Sequence, residues 1–145
     1  MADTRVQLEV EDWVRLHGMP TEFGQGFHRE RVSLSSGGVF DFDAVSEDRS
    51  TVAAISTSGA KTATGKHAVG KLLKIRSDML FLVMAKAERR LVVLTERSMF
   101  DLCRKESEGG RVPEGIEFFH AEIPKVLAAR LAQARSVASE ETSPH

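Results

Sequence analysis

The chain has 145 residues, and its 20 lysine and arginine residues are balanced by 21 aspartate and glutamate residues to a formal charge of −1. A chain of this length can bury a core without disulfides or a structural metal. The charge balance excludes a histone-like polycation, so a strongly charged partner has to bind a local patch. We expect one domain over residues 1–138 and a flexible tail over residues 139–145.

Cysteine content and hydropathy indicate the compartment. Cys103 is the single cysteine of the sequence, which excludes an internal disulfide. No N-terminal stretch combines basic residues with an apolar run of signal-peptide length. The longest apolar run, residues 79–85, is about a third of the length that a membrane helix needs. These features predict a cytoplasmic protein without membrane association.

The first half of the chain is predicted to form a helix followed by three strands. Apolar residues recur at helical spacing over residues 4–18, and Gly18 with the following Met19-Pro20 is a helix stop signal. From Phe27 the period changes to two, which is typical of strands. Polar turns separate the three predicted strands, so they should form an antiparallel meander. The strands are predicted from Phe27 to the turn at 36–38, over 39–45 and over 51–56.

The second half is predicted to alternate between helices and strands. Two continuous apolar runs resemble strands buried on both faces. The predicted elements are a helix over 66–77, strands over 79–84 and 90–95, a helix over 96–105, a strand over 115–123 and a helix over 126–137. The whole pattern predicts an α/β (α+β) domain with a mixed sheet flanked by helices.

Two aspartates on the second predicted strand are the first candidate site. Asp41 and Asp43 are two residues apart, so both carboxylates point to one side of a strand. Paired carboxylates suit Mg²⁺, although a solvent-facing strand explains the same pattern. A turn centred on residues 48 and 49 would place Asp43 opposite Ala54 and Asp41 opposite Ser56. Ser56 and Ser58 would then lie on the carboxylate face, since register decides which face a side chain occupies.

A basic segment follows the third predicted strand. Residues 57–77 carry five basic and no acidic residues, which leaves 15 basic against 21 acidic residues in the rest of the chain. A segment of this charge at a helix N-terminus attracts anions, phosphates above all, although a solvated helix face has the same composition. The candidate anion-binding residues are Lys61, Lys66, Lys71, Lys74 and Arg76.

Other common sites do not fit the sequence. Five residues rather than four separate Gly59 from Gly65, and His67 stands where a phosphate-binding loop requires serine or threonine. The five histidines and Cys103 show no metal-ligand spacing. No G-x-S-x-G pattern for a serine hydrolase is present, and Cys103 on a predicted helix is expected to pack rather than to react.

The order of elements, with GGVFDFDAVSED over 37–48, TVAAISTS over 51–58 and the basic helix after it, resembles the PD-(D/E)XK nuclease superfamily. The resemblance covers residues 6–123 and implies the restriction-endonuclease-like αβββαβ core. It implies that Asp43, with Asp41 as a substitute, is the acidic residue of the second strand. The family's (D/E)XK would fall on residues 56–58, where this chain has Ser-Thr-Ser.

In such nucleases, as the resemblance implies, two acidic side chains hold Mg²⁺ and a lysine helps to position or deprotonate the attacking water. Serine hydroxyls cannot supply those charges, so relocated residues would be required. Lys61 or Lys66 could replace the lysine, and Glu9 or Glu11 from the first helix could complete the metal shell. The resulting catalytic candidates are Asp43, Asp41, Ser56, Ser58 and Lys61. The metal-ligand candidates are Asp43, Asp41 and Glu9.

Three functions follow from these residues. The first is a restriction-endonuclease-like domain that has lost catalysis and binds nucleic acid or a protein partner. The second is an active Mg²⁺-dependent nuclease with relocated active-site residues. The third is an oligomeric accessory subunit that assembles through a sheet edge or its last helix.

Overall fold

The computed structural model of the protein describes residues 5–61 and 68–142, and only the backbone over residues 137–142. The described elements form an α+β domain in which helices cover both faces of one mixed sheet, so the predicted fold class is confirmed. The elements are α1 Arg5–Trp13, a π-helical segment Val14–Gly18, α2 Met19–Phe23, β1 Phe27–Ser33, β2 Val39–Ser46, β3 Thr51–Ser56, α3 Val69–Met84, β4 Arg89–Leu94, α4 Arg97–Glu108, β5 Ile116–His120 and α5 Lys125–Thr142.

The first helical region runs past its predicted end at Gly18, so that boundary is wrong. The π-helical segment inserts an extra residue into the turn, and the Met19 N–H donates to the Val14 carbonyl. Met19 is buried in the same apolar cluster as Val10 and Val14. Pro20 is tolerated because it lies in the first turn of α2, where its missing N–H is not needed. Helical structure ends only at Gly24, which has a left-handed backbone conformation with φ of 75°.

The three N-terminal strands form the predicted antiparallel meander. Ala44 pairs with Ala53 and Val45 with Val52, so the predicted register is confirmed at these two pairs. The pairing of β1 with β2 is irregular. His28 pairs with Val45 but Glu30 pairs with Phe42, which leaves residues 43–44 of β2 opposite residue 29 alone. This is a β-bulge, a feature that turns a side chain away from the regular pleat.

The third helix, α3, includes the apolar run 79–84, which was predicted to be a separate strand; that prediction is wrong. Met79 and Leu82 are buried, whereas Leu80 and Val83 are 55% and 37% exposed. One buried side at helical spacing is the pattern of a surface helix, not of a strand covered on both faces. Short apolar runs do not distinguish the two structures by periodicity alone. The sheet therefore has five strands.

The C-terminal part of the sheet is parallel. β3 pairs with β4 and β4 pairs with β5, and the crossover helices are α3 and α4. Buried side chains of α3 and α4 cover one face of the sheet, and those of α1, the π-helical segment, α2 and α5 cover the other. The carboxyl ends of the three parallel strands lie at one edge, which is where open sheets of this kind bind ligands. The last helix continues to Thr142, past its predicted end at residue 137.

Candidate functional site

A cleft of about 860 Å³ lies at the carboxyl end of β3, between α1, the bulged part of the meander and α3. Its volume is within the range of ligand-binding clefts. The carboxylates in its lining are Glu11, Asp43 and Asp78; the cations are Arg29, Lys71 and Lys74; the hydroxyls are Ser56, Thr57 and Ser58. Charged groups from both faces of the sheet therefore meet at one opening.

Asp43 is held at the base of this cleft by contacts on two sides. Its carboxylate Oδ2 accepts a hydrogen bond from the Ile55 backbone N–H at 2.8 Å. Its backbone carbonyl accepts one from the buried guanidinium of Arg15 at 2.7 Å, and Arg15 also contacts Asp12 at 2.8 Å. The Asp43 side chain therefore takes the place of a backbone acceptor between β2 and β3. It lies in the β-bulge formed by residues 43–44. Among the described residues, no hydrogen bond is found to the second oxygen, Oδ1.

Glu11 of α1 is the second carboxylate of the cleft. Burial raises its pKa above the ordinary value, and the charge of Asp43 raises it further; the guanidinium groups of Arg15 and Arg29 act in the opposite direction. The charge of Asp43 is thus one cause of the raised pKa of Glu11, and both carboxylates line the same cleft. An added cation between them would offset that effect.

The predicted ligand Glu9 lies elsewhere. Its carboxylate forms a bidentate ion pair with Arg130 of α5, with N–O distances of 2.6 and 3.0 Å. Of the two first-helix candidates, Glu11 lines the cleft together with Asp43, and Glu9 pairs with Arg130 of the last helix. Glu9 is not part of the described cleft lining.

Asp41 is also outside the described cleft lining, although it is only two residues from Asp43. It is exposed and accepts a hydrogen bond from Arg31 Nε at 3.0 Å, and this contact lowers the pKa of the carboxyl. Arg31 is its register partner on β1. Asp41 therefore has a surface ion pair, which the alternative of a solvent-facing strand describes better than a shared metal site.

The predicted anion-binding residues divide into different environments. Lys71 and Lys74 line the cleft, whereas Arg76 contacts Glu106 of α4 at 3.5 Å. Lys61 is exposed in the loop after β3, next to Ala60, whose N–H donates to Ser98 Oγ at 3.1 Å. Lys66 lies outside the described residues.

Ser56 and Ser58 line the cleft at the end of β3, where the resemblance placed the family's (D/E)XK. The Ser58 N–H donates to Ser56 Oγ at 3.3 Å, so the chain turns tightly as it leaves the strand. These hydroxyls are neutral and supply neither a carboxylate nor a cation at that position.

Lys74 and Asp78 form an ion pair on one side of α3, with Lys74 Nζ 2.6 Å from Asp78 Oδ1. Burial raises the pKa of Asp78, the contact with Lys74 lowers it, and the charge of Asp43 raises it again. The sequence prediction missed Asp78 because it ended the helix at residue 77. The signal that could have found it is the four-residue spacing from Lys74, which places the two side chains on one helix face.

The described lining of the cleft contains three carboxylates, Glu11, Asp43 and Asp78, and Asp78 is paired with Lys74. Within residues 5–61 and 68–136, no group of three or more histidine, cysteine, aspartate or glutamate side chains could hold a metal ion. Mg²⁺ is bound in many proteins by only one or two carboxylates, with waters and substrate phosphate completing its shell. Glu11 and Asp43, which line the same cleft, would be the two carboxylates of such a site. Cys103 is buried among apolar residues, and burial raises the pKa of its thiol to about 11, so it packs in the core as predicted.

Comparisons of the chain with protein-family models, with curated proteins and with solved structures found no match. In the described part of the chain, no helix has both the length and the apolar composition to span a membrane. Proposals about function therefore rest on the cleft and on the topology that forms it.

Proposed function

We propose that this domain binds nucleic acid through the phosphate backbone, at the cleft between α1, β3 and α3, and that it is a restriction-endonuclease-like domain with an incomplete catalytic motif. The observation that carries the proposal is the meeting of Arg29, Lys71 and Lys74 from two sides around one open cleft. Cations that line a groove attract the phosphodiester backbone regardless of base sequence. The αβββαβ order and the position of Asp43 on β2 support the family resemblance.

The charges of the cleft predict how this binding depends on conditions. Lys74 and Asp78 neutralise one another, and Arg29 and Lys71 share the cleft with Glu11 and Asp43. Because the carboxylates repel phosphate, binding should be weak in EDTA and stronger with Ca²⁺, which offsets their charge without supporting hydrolysis in most Mg²⁺-dependent enzymes. Affinity should also fall steeply with salt, since phosphate contacts release counterions.

Fluorescence anisotropy with a labelled DNA duplex, single-stranded DNA and single-stranded RNA tests the proposal. Lys71→Glu and Arg29→Glu should weaken binding. Loss of one phosphate contact should also reduce the slope of log affinity against log salt concentration by about one. The matched control is Lys86→Glu, which makes the same charge change at an exposed residue just past the other end of α3, about 20 Å along the helix. Equal affinities of Lys71→Glu and Lys86→Glu would show that the cleft is not the binding site.

A second candidate, Mg²⁺-dependent phosphodiester hydrolysis, is favoured by the presence of two carboxylates, Glu11 and Asp43, in the lining of the same cleft. These two carboxylates would hold the ion, with Lys74 as the nearby cation, and Mg²⁺ at such a site supplies charge stabilisation at the phosphate and a more acidic bound water. Asp43 is fixed by its contact with Ile55, so it would orient the ion, and Glu11 would complete the ligand set from α1.

Two measurements test this second candidate. Wild-type protein should cleave DNA or RNA with Mg²⁺ or Mn²⁺, and Asp43→Asn and Glu11→Gln should abolish cleavage while Asp41→Asn retains it. Independently of activity, Mg²⁺ should raise the melting temperature of the wild type and of Asp41→Asn but not of the other two variants. Binding without cleavage in the wild type would leave the first proposal in place and reject hydrolysis.

A different set of measurements tests the alternative of an oligomeric accessory subunit. A wild type that binds none of the three nucleic acids, in EDTA or in Ca²⁺, overturns the nucleic-acid proposal. Oligomeric mass by light scattering and a co-purifying protein would then favour assembly through a sheet edge or α5. A monomer with no bound protein would reject that alternative as well.

A further inference from the structure

The ion pair between Lys74 and Asp78 joins an accessible cation to a buried anion. The Lys74 side chain is 70% exposed, whereas the Asp78 side chain is only 12% exposed. Both line the same cleft, and their separation of 2.6 Å is that of a charge-assisted hydrogen bond. The lysine can therefore reach a ligand, but its ammonium is already bound to a carboxylate fixed within the fold.

The surroundings of Asp78 make this contact costly to break. Its carboxylate is withdrawn from water and is exposed to the negative charge of Asp43, while Lys74 supplies the compensating positive charge. Removing the partner of a buried charge is destabilising because the charge is then left uncompensated. The ion pair between Lys74 and Asp78 is therefore favoured for as long as Asp78 is ionised.

We infer that Asp78 restrains Lys74 and so lowers the affinity of the cleft for phosphate. This inference rests on the proposed function. A phosphate that enters the cleft competes with the Asp78 carboxylate for the Lys74 ammonium, and part of the attraction between Lys74 and the phosphate is spent on weakening the existing ion pair. Asp78 is a positioning residue, which acts on the ligand through Lys74.

The substitution Asp78→Asn separates this role from a structural one. Asparagine has the same shape and removes the charge, so Lys74 becomes free to bind phosphate. Affinity for the nucleic acid that the wild type binds best should rise roughly two- to fivefold, the size expected for a partly exposed ion pair. A purely structural role predicts unchanged or weaker binding.

A double-mutant cycle shows whether Asp78 acts through Lys74. Lys74→Met alone should weaken binding, and in the Lys74→Met background Asp78→Asn should give no gain. A gain of the same size in both backgrounds would mean that Asp78 acts only as a general negative charge, and the inference would be overturned. Asp78→Ser serves as a second neutral variant, and melting temperatures establish that each protein is folded.

The proposed function and this inference fail in different ways. If binding weakens in Lys71→Glu but does not tighten in Asp78→Asn or Asp78→Ser, the proposed function is supported. The inference that Asp78 restrains Lys74 is then rejected. Wild-type protein that does not bind any nucleic acid in EDTA or Ca²⁺ rejects the function and the restraint together. Tightening that depends on Lys74 supports both.

Discussion

The carboxylate of Asp43 accepts a hydrogen bond from the backbone N–H of Ile55, 2.8 Å away, just beyond the regular pairing of β2 with β3. A side chain thus completes the contact between two strands and also lines the cleft. The same residue is therefore expected to affect both stability and ligand binding, and the two effects can be separated.

Replacement of Asp43 by alanine should destabilise the fold, because the Ile55 N–H loses its acceptor. A hydrogen bond to a charged group is worth about 1.5–3 kcal/mol. Asp43→Asn retains an acceptor oxygen and should lose much less, and Asp41→Ala should have only a small effect, because it removes a surface ion pair. Urea unfolding of the three variants measures these differences; equal destabilisation by Asp43→Ala and Asp41→Ala would contradict the assigned contact.

Glu11→Gln should raise the melting temperature at neutral pH. The pKa of Glu11 in the folded protein is above its ordinary value, so stability falls as pH rises through the ordinary value, and the loss is complete above the raised pKa. The glutamine variant removes this penalty, and its advantage should shrink as pH falls and Glu11 becomes protonated in the wild type. Thermal unfolding from neutral pH down to about pH 4 measures the trend. Glu22→Gln, at an exposed glutamate in the N-terminal helical region, is the control for removal of a carboxylate, and an equal rise in both variants would contradict the prediction.

Asp48 should stabilise the turn between β2 and β3 in a pH-dependent way. Ser50, through its hydroxyl and N–H, and the Ser46 hydroxyl donate to its carboxylate, and these hydrogen bonds lower the pKa of Asp48 to about 2. Because the folded-state pKa is depressed, the stabilisation is complete above the ordinary pKa of 3.8 and is lost as pH falls towards 2.

Asp48→Ala is therefore expected to melt below the wild type at neutral pH, with a gap that narrows between about pH 4 and pH 2. Melting curves recorded by circular dichroism across this range provide the measurement. A gap that stays constant to the lowest pH at which both proteins fold would show that the ionised form is not the one that stabilises the turn.

Leu82→Ala and Leu80→Ala should have very different effects, because α3 buries one and exposes the other. Leu82 is fully buried, and truncation of such a side chain costs about 2–5 kcal/mol. Leu80 is 55% exposed, and its truncation should change stability by less than about 0.5 kcal/mol. Similar large losses for both would instead support a strand buried on both faces over residues 79–84.

Local patterns in the sequence were sufficient to predict the meander and one site residue. The alternation of polar and apolar residues and the turn at 46–50 determined the pairing of Ala44 with Ala53, and this register leads directly to Asp43 near the end of β3. The apolar run 79–84 was misassigned because its burial on one side appears only once the helix packs on the sheet. The β-bulge at residues 43–44 cannot be predicted from these two residues alone, because it depends on how β2 pairs with β1.

The neighbours of Asp43 were decided by tertiary structure. Glu9 and Glu11 are separated by about 200° around a helix axis, so only the rotation of α1 against the sheet and α5 determines which of them reaches the cleft. Asp78 joins the cleft only because α3 continues past residue 77. The sequence by itself determined the α+β class and the register of β2 with β3. It also determined the division of formal charge, which is +5 over residues 57–77 and −6 over the rest of the chain. Tertiary packing alone decided that Glu11, Lys74 and Asp78 share the cleft with Asp43, since contacts between distant segments depend on how whole elements pack.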